Sequence, residues 1–141
     1  EDALKAVPDS YREAALALPA PKVWAALREV SQPHRLFAGV LTASRLEGDV
    51  RTVTFANGMI AKERIIDVDD ARMRVAYSVI EGPFTYHGAS MQVVANGPAA
   101  CRVIWITDFL PGDLESLVAP LMEAGCWAMK RNLEVALAPG G

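Results

Sequence analysis

Residues 41 to 109 form a succession of short β-rich runs separated by turn signals, and one long helical stripe follows them. Few folds accept that order. The clearest unit is "RTVTFANGMIAKERIIDV", where Asn57-Gly58 lies between two β-rich runs. Asn-Gly is the strongest short hairpin signal, since both central positions of a type I′ turn need positive φ. Before it stands "LTASRLEG". After it, "DVDDAR", "EGPF" and "NGPAA" punctuate "RMRVAYSVI", "TYHGASMQVVA" and "CRVIWITDFLP". The pattern predicts an antiparallel meander of five or six strands.

From Asp113, a plausible N-cap after Pro111-Gly112, the apolar residues Leu114, Val118, Met122, Cys126, Met129, Leu133 and Leu137 recur at helical spacing. Gly125 leaves a gap near that stripe, and Pro120 is expected to kink or restart the helix. Upstream, residues 11 to 18 read as a strand that "PAP" ends. Lys22 to Val30 then read as a helix, with Val23, Trp24, Leu27 and Val30 on one side, and a short helix or irregular stretch runs through Val40. A curved sheet with one apolar face has to be covered, and only the terminal helix has the length to cover it. The expected class is α+β, with six or seven strands wrapped around a long C-terminal helix and two short helices after the first strand. Residues 1–10 read as an N-terminal arm and 11–138 as one domain.

The chain has 141 residues, 52% hydrophobic and 22% charged, with net charge -3. That suits a globular domain with a sizeable core, and no Lys/Arg run suggests a nucleic-acid surface. No apolar stretch approaches the roughly 20 residues of a membrane span. "EDALKAVPDS" lacks the basic and apolar regions of a signal peptide, so a cytoplasmic location is expected. Cys101 and Cys126 form no CxxC and read as buried thiols. His34 and His87 fit no metal spacing, and His34 reads as a surface loop residue. Walker, GxGxxG and GxSxG motifs are missing, and no cofactor is expected.

The layout resembles the START-like, Bet v 1-like superfamily (SRPBCC) and its helix-grip fold. Within it the chain is most similar to bacterial polyketide cyclase/dehydrase-type proteins. "APKVWAALREV", "SRLEGDVRTVTFANG", "ERIIDVDDARMRVAYSV", "CRVIWITDFLP" and "MKRNLE" carry the resemblance, which covers about residues 11 to 137. It implies a cavity between sheet and helix. It implies no particular chemistry, because no single catalytic signature unites carriers, aromatase/cyclases, ring-hydroxylase subunits and ribosome-acting members.

Parity propagated through the hairpins names the inner face. Cys101, Val103, Trp105, Thr107 and Phe109 form one set. Pairing adds His87, Ala89 and Met91, then Val75, Tyr77 and Val79, then Ala61, Glu63 and Ile65. A two-residue Asn57-Gly58 turn adds Thr52 and Thr54. In "ERIIDVDD" Glu63 is thus the inward charge and Arg64 the outward one, with Tyr77, His87, Thr52, Thr107 or Arg45 as its partner. The expected ligand-binding set is Thr52, Thr54, Glu63, Tyr77, His87, Ala89, Met91, Trp105 and Thr107 on the sheet, with Met122, Gly125 and Met129 on the helix. Glu63, His87 and Tyr77 are the catalytic candidates if the protein is an enzyme.

Three functions remain open. The favoured one is binding of a small hydrophobic molecule, such as a lipid, polyketide or isoprenoid. The second is a cofactor-independent cyclase/dehydratase, with Glu63 or His87 moving a proton and Tyr77 holding a carbonyl or enolate oxygen. The third is a partner-binding module of the ribosome-acting type, against which the acidic charge counts. Monomer or weak dimer is expected. Trp127 falls on the charged side of the terminal helix, opposite Met122 and Met129. It is either exposed, covered by Leu4 to Val7, or covered by a second subunit, with Ile104 and Ile106 as further outward apolar surface.

Overall fold

The computed structural model describes residues 9–137. Strands β1 (Asp9–Leu16), β2 (Leu41–Glu47), β3 (Val50–Phe55), β4 (Ile60–Asp69), β5 (Arg74–Val79), β6 (Tyr86–Ala95) and β7 (Cys101–Leu110) form one sheet. Its seven strands run in the order β1-β7-β6-β5-β4-β3-β2, and each pairs antiparallel with its neighbours. The meander follows from the turn spacing, and β1 pairs with the edge of β7 that the meander leaves free. Of the expected arm, only Asp9 and Ser10 lie within the described residues, and they open β1.

Helix α1 (Ala20–Leu27) begins inside the "PAP" segment. The segment therefore starts a helix rather than only ending a strand, because Pro21 in the first turn has no N–H to lose and a φ already suited to helix. Helix α2 (Pro33–Leu36) is a single turn. His34 belongs to it and is half-buried, with Nδ1 2.8 Å from Ser44 Oγ, and is not a free surface residue. A 3₁₀ turn at Gly112–Leu114 precedes α3 (Glu115–Ala136). Asp113 does not cap α3, which has no side-chain cap. Pro120 does not end the helix either, which runs through it unbroken.

α3 lies along the sheet with Val118, Met122, Gly125, Ala128, Met129 and Leu133 buried. Met129 and Leu133 join Val23, Trp24, Leu27, Val93 and Val103 in the main core. Near the start of α3, Val118 and Met122 form a smaller cluster with Phe109. The main core lies under α1 and the second half of α3, and space remains toward the end of α1, α2 and the beginning of α3.

Two departures from regular pairing decide which side chains reach that space. Phe55 N–H bonds to the Met59 carbonyl, so the β3–β4 loop holds Ala56, Asn57 and Gly58 rather than two residues. Gly58 alone takes positive φ there, as a three-residue hairpin loop requires. Compared with a two-residue turn, this slides β3 by one position. Arg51 opposes Glu63 and Val53 opposes Ala61, so Thr52 and Thr54 turn to the other face. Between Ile65 and Asp67 the β4–β5 register also shifts by one. Beside the turn, Val68 opposes Val75, and beyond the bulge Ile65 opposes Tyr77 and Glu63 opposes Val79. Without Ile66 as the extra, exposed residue, Arg64 would face inward in place of Glu63.

Candidate functional site

A cavity of about 220 Å³ lies between the inner face of the sheet, α2, the β5–β6 loop and the first half of α3. Its size exceeds the ~150 Å³ apolar cavity that admits benzene in a well-studied lysozyme variant. Most of its wall is apolar: Phe37 and Leu41 close one side, Val53, Val75 and Met91 form the floor, and Leu117, Val118, Leu121 and Met122 come from α3. Phe84, in the loop expected only as a turn, packs edge-on against His87 at 4.9 Å between ring centroids.

Of the expected site residues, Glu63, Tyr77, His87, Met91, Trp105, Thr107, Met122 and Gly125 line this cavity. Ala89 and Met129 are buried but belong to the packing around it. Thr52 and Thr54 lie off the cavity face, for the loop-length reason above. Arg45 is outward, 3.9 Å from Glu47, and is not the partner of Glu63.

That partner is Arg51, which the two-residue turn concealed. Its Nε and Nη2 both reach Glu63 Oε1, at 2.8 and 2.7 Å, and Nη1 donates to the Val30 carbonyl at 3.1 Å. The side chains are only 10% and 12% exposed. Burying either charge alone would be costly, and the pair removes most of that cost. The guanidinium also lies over the Tyr77 ring, its carbon 5.4 Å from the centroid. Among the described residues Glu63 Oε2 has no hydrogen-bond partner, and Glu63 lines the cavity.

Tyr77 accepts a hydrogen bond from Trp105 Nε1 at 3.1 Å. Its own hydroxyl proton is thereby left to donate elsewhere. Burial, with the Glu63 charge second, pushes the phenol well above its ordinary range, so it stays protonated. His87 sits where β5 and β6 part. Their paired residues end at Tyr77 and Ala89, and the next N–H, that of Val79, donates to His87 Nδ1 at 3.0 Å. The ring completes a ladder that the backbone has left. With Nδ1 accepting, the proton of the neutral ring belongs on Nε2. Burial pulls the His87 pKa down to about 4, so the ring is neutral at physiological pH.

Gly125 is the gap in the helix stripe, and Trp105 leans over it. A Cβ at that position would lie 3.0 and 3.1 Å from carbons of the indole six-membered ring. The same indole packs on Phe37 at 5.5 Å, so one residue ties sheet, α2 and α3 together. Among the described residues no group of His, Cys, Asp and Glu could hold a metal ion, and no helix is long and apolar enough to cross a membrane. Both cysteines are free thiols, Cys101 buried and Cys126 half-buried.

A curved antiparallel sheet gripping one long helix over a lined cavity is the helix-grip fold of START-like, Bet v 1-like proteins. The chain belongs to the polyketide cyclase / dehydrase and lipid transport family, whose sequence model matches residues 9–138. A protein of Bacillus thuringiensis is 19% identical and has a TM-score of 0.79, over 88% of this chain and 97% of its own. One from Thermobifida fusca is 25% identical with a TM-score of 0.75, over 90% and 94%. Norcoclaurine synthase of Thalictrum flavum, solved in complex with dopamine and hydroxybenzaldehyde, is 20% identical with a TM-score of 0.73, over 96% and 89%. No curated protein sequence matches the chain.

Proposed function

We propose that this protein binds a small hydrophobic molecule between its sheet and α3. The observation that carries the reading is the cavity itself. Its wall is largely apolar, and its polar groups are few: Arg51, Glu63, Tyr77, His87 and Thr107 on the sheet, with Glu29 and Glu81 from loops. Apolar surface supplies affinity, at about 25 cal/mol per Å² buried, and a few placed polar groups fix orientation. The family description, which couples lipid transport with cyclase and dehydrase activity, accommodates this reading.

The local chemistry favours binding over proton transfer. A general base works best with a pKa near the working pH, and His87 at about 4 lies well below it. Glu63 is held by Arg51, and the Tyr77 phenol is too weak an acid to give up its proton. These groups hold a ligand's oxygen better than they move its protons.

Native mass spectrometry of the purified protein tests the reading. A bound mass of a few hundred daltons, released on denaturation, is expected. A protein that binds no apolar molecule, yet turns over a β-ketone substrate, would replace binding with the cyclase/dehydratase alternative.

A further inference from the structure

We infer that the cavity selects uncharged ligands bearing a hydrogen-bond acceptor, such as a ketone or ester carbonyl, and excludes carboxylates. The inference rests on the binding reading and names the class of ligand that the site takes.

The charges lining the cavity carry the argument. They are Glu29, Arg51, Glu63 and Glu81: one cation and three carboxylates. Among the described residues Arg51 is the only cation lining the cavity, and Glu63 already neutralises it at 2.7 Å. Three of its five N–H groups are already engaged, by Glu63 and the Val30 carbonyl. The unpartnered Oε2 of Glu63 adds a second discouragement, because it would meet an entering carboxylate as a like charge. An anion in this apolar space would lose its water and gain no counter-charge.

Neutral donors, in contrast, are ready. The Tyr77 hydroxyl accepts from Trp105, which leaves its proton to give. Val79 N–H occupies His87 Nδ1, which leaves the Nε2 proton to give. The two rings stand 6.1 Å apart between centroids, and both line the cavity. Two neutral donors side by side suit one carbonyl oxygen. They lack the positive charge with which proteins usually hold carboxylates.

Four probes of one ring system test this by calorimetry at pH 7.5: 2-acetonaphthone, methyl 2-naphthoate, 2-naphthoate and 2-ethylnaphthalene. The ketone and ester should bind, with 2-naphthoate at least about 30-fold weaker than its ester and 2-ethylnaphthalene at least about fivefold weaker than the ketone. In Glu63→Gln, Arg51 loses its counter-charge, and the ester-to-carboxylate affinity ratio should fall at least about tenfold. Should that variant not fold, the wild-type comparison decides alone. A carboxylate within about threefold of its ester overturns the charge selection and leaves the binding reading standing. A hydrocarbon that binds as well as the ketone overturns the role of the two donors. If none of the four binds, the binding reading fails and this inference fails with it.

Discussion

Arg51 and Glu63 face each other directly across β3 and β4, and two guanidinium nitrogens share one carboxylate oxygen at 2.7 and 2.8 Å. The pair stands at the edge of an apolar cavity, where either charge alone would be poorly solvated. Removing one partner should therefore cost more than removing both. Arg51→Met should destabilise the protein by about 3 kcal/mol, the scale found when a buried pair is broken. Adding Glu63→Met to it should restore more than half of that loss. Urea denaturation of the two single variants and the double variant closes the cycle. Equal destabilisation by single and double variants would mean that water, not the partner, solvates these charges.

Gly125 offers a separate handle on the cavity. Alanine is the better helix residue by about 1 kcal/mol, so in open space Gly125→Ala would stabilise α3. Here the new methyl would stand about 3 Å from the Trp105 indole, tight enough that the indole is expected to give by a few tenths of an ångström. Trp105 lines the cavity, so its displacement changes the room for ligand. Binding of 2-acetonaphthone should weaken at least about fivefold while stability changes by less than about 1 kcal/mol. Undiminished binding, with an unchanged tryptophan emission spectrum, would show that α3 rather than the indole gives way.

The grip of sheet on helix was legible because it rests on coarse signals. Turn residues recur along the meander, and α3 carries a long apolar stripe. Side-chain parity is far more fragile, since one residue inverts a strand. Asn57-Gly58 signalled the β3–β4 hairpin correctly but does not state loop length. Only Gly58 takes positive φ, and the resulting three-residue loop exchanges Thr52 and Thr54 for Arg51 and Val53 on the cavity face. The bulge at Ile66 acts in the opposite sense for β4. Counting back from the β4–β5 turn alone would have turned Arg64 inward, and the extra residue returns Glu63 to that place. Phe37 and Phe84 escaped because they lie just past a short helix and in a loop, where no period exists to place them. Position in space, set by packing of α2 and the β5–β6 loop against the sheet, is what brings them to the cavity.

His87 gives the site a pH signature. Its native pKa of about 4 lies below the ordinary ~6.5, so the folded protein prefers the neutral ring. The unfolded chain binds that proton first as pH falls. The stability contributed by the neutral ring is therefore complete above about pH 6.5 and lost progressively toward pH 4. Across that window wild type should lose more stability than His87→Gln, whose amide oxygen can still accept from Val79 N–H. Urea midpoints at matched pH values supply the comparison. Parallel curves for the two proteins would mean that the imidazolium is accommodated, by water entering the cavity.

Trp127 stands apart from all of this, on the far side of α3. Trp127 is 64% exposed, among Glu123, Ala124 and Arg131. Exposure is one of the outcomes the helical spacing allowed. The segment Leu4 to Val7, offered as a cover, lies outside the described residues. On this geometry Trp127→Ala removes little buried area, and alanine's better helix propensity offsets part of the loss. Stability should change by less than about 0.5 kcal/mol, and affinity for 2-acetonaphthone should not move, because Trp127 does not line the cavity. Urea unfolding at two protein concentrations separates the alternatives. A loss above about 1.5 kcal/mol that does not depend on concentration would mean that another part of the same chain covers the indole. A loss that grows with concentration would mean that a second copy does, since association stabilises by mass action. Weaker ligand binding with unchanged stability would require a helix rotated from the one described, with Trp127 in the cavity and Met122 outside.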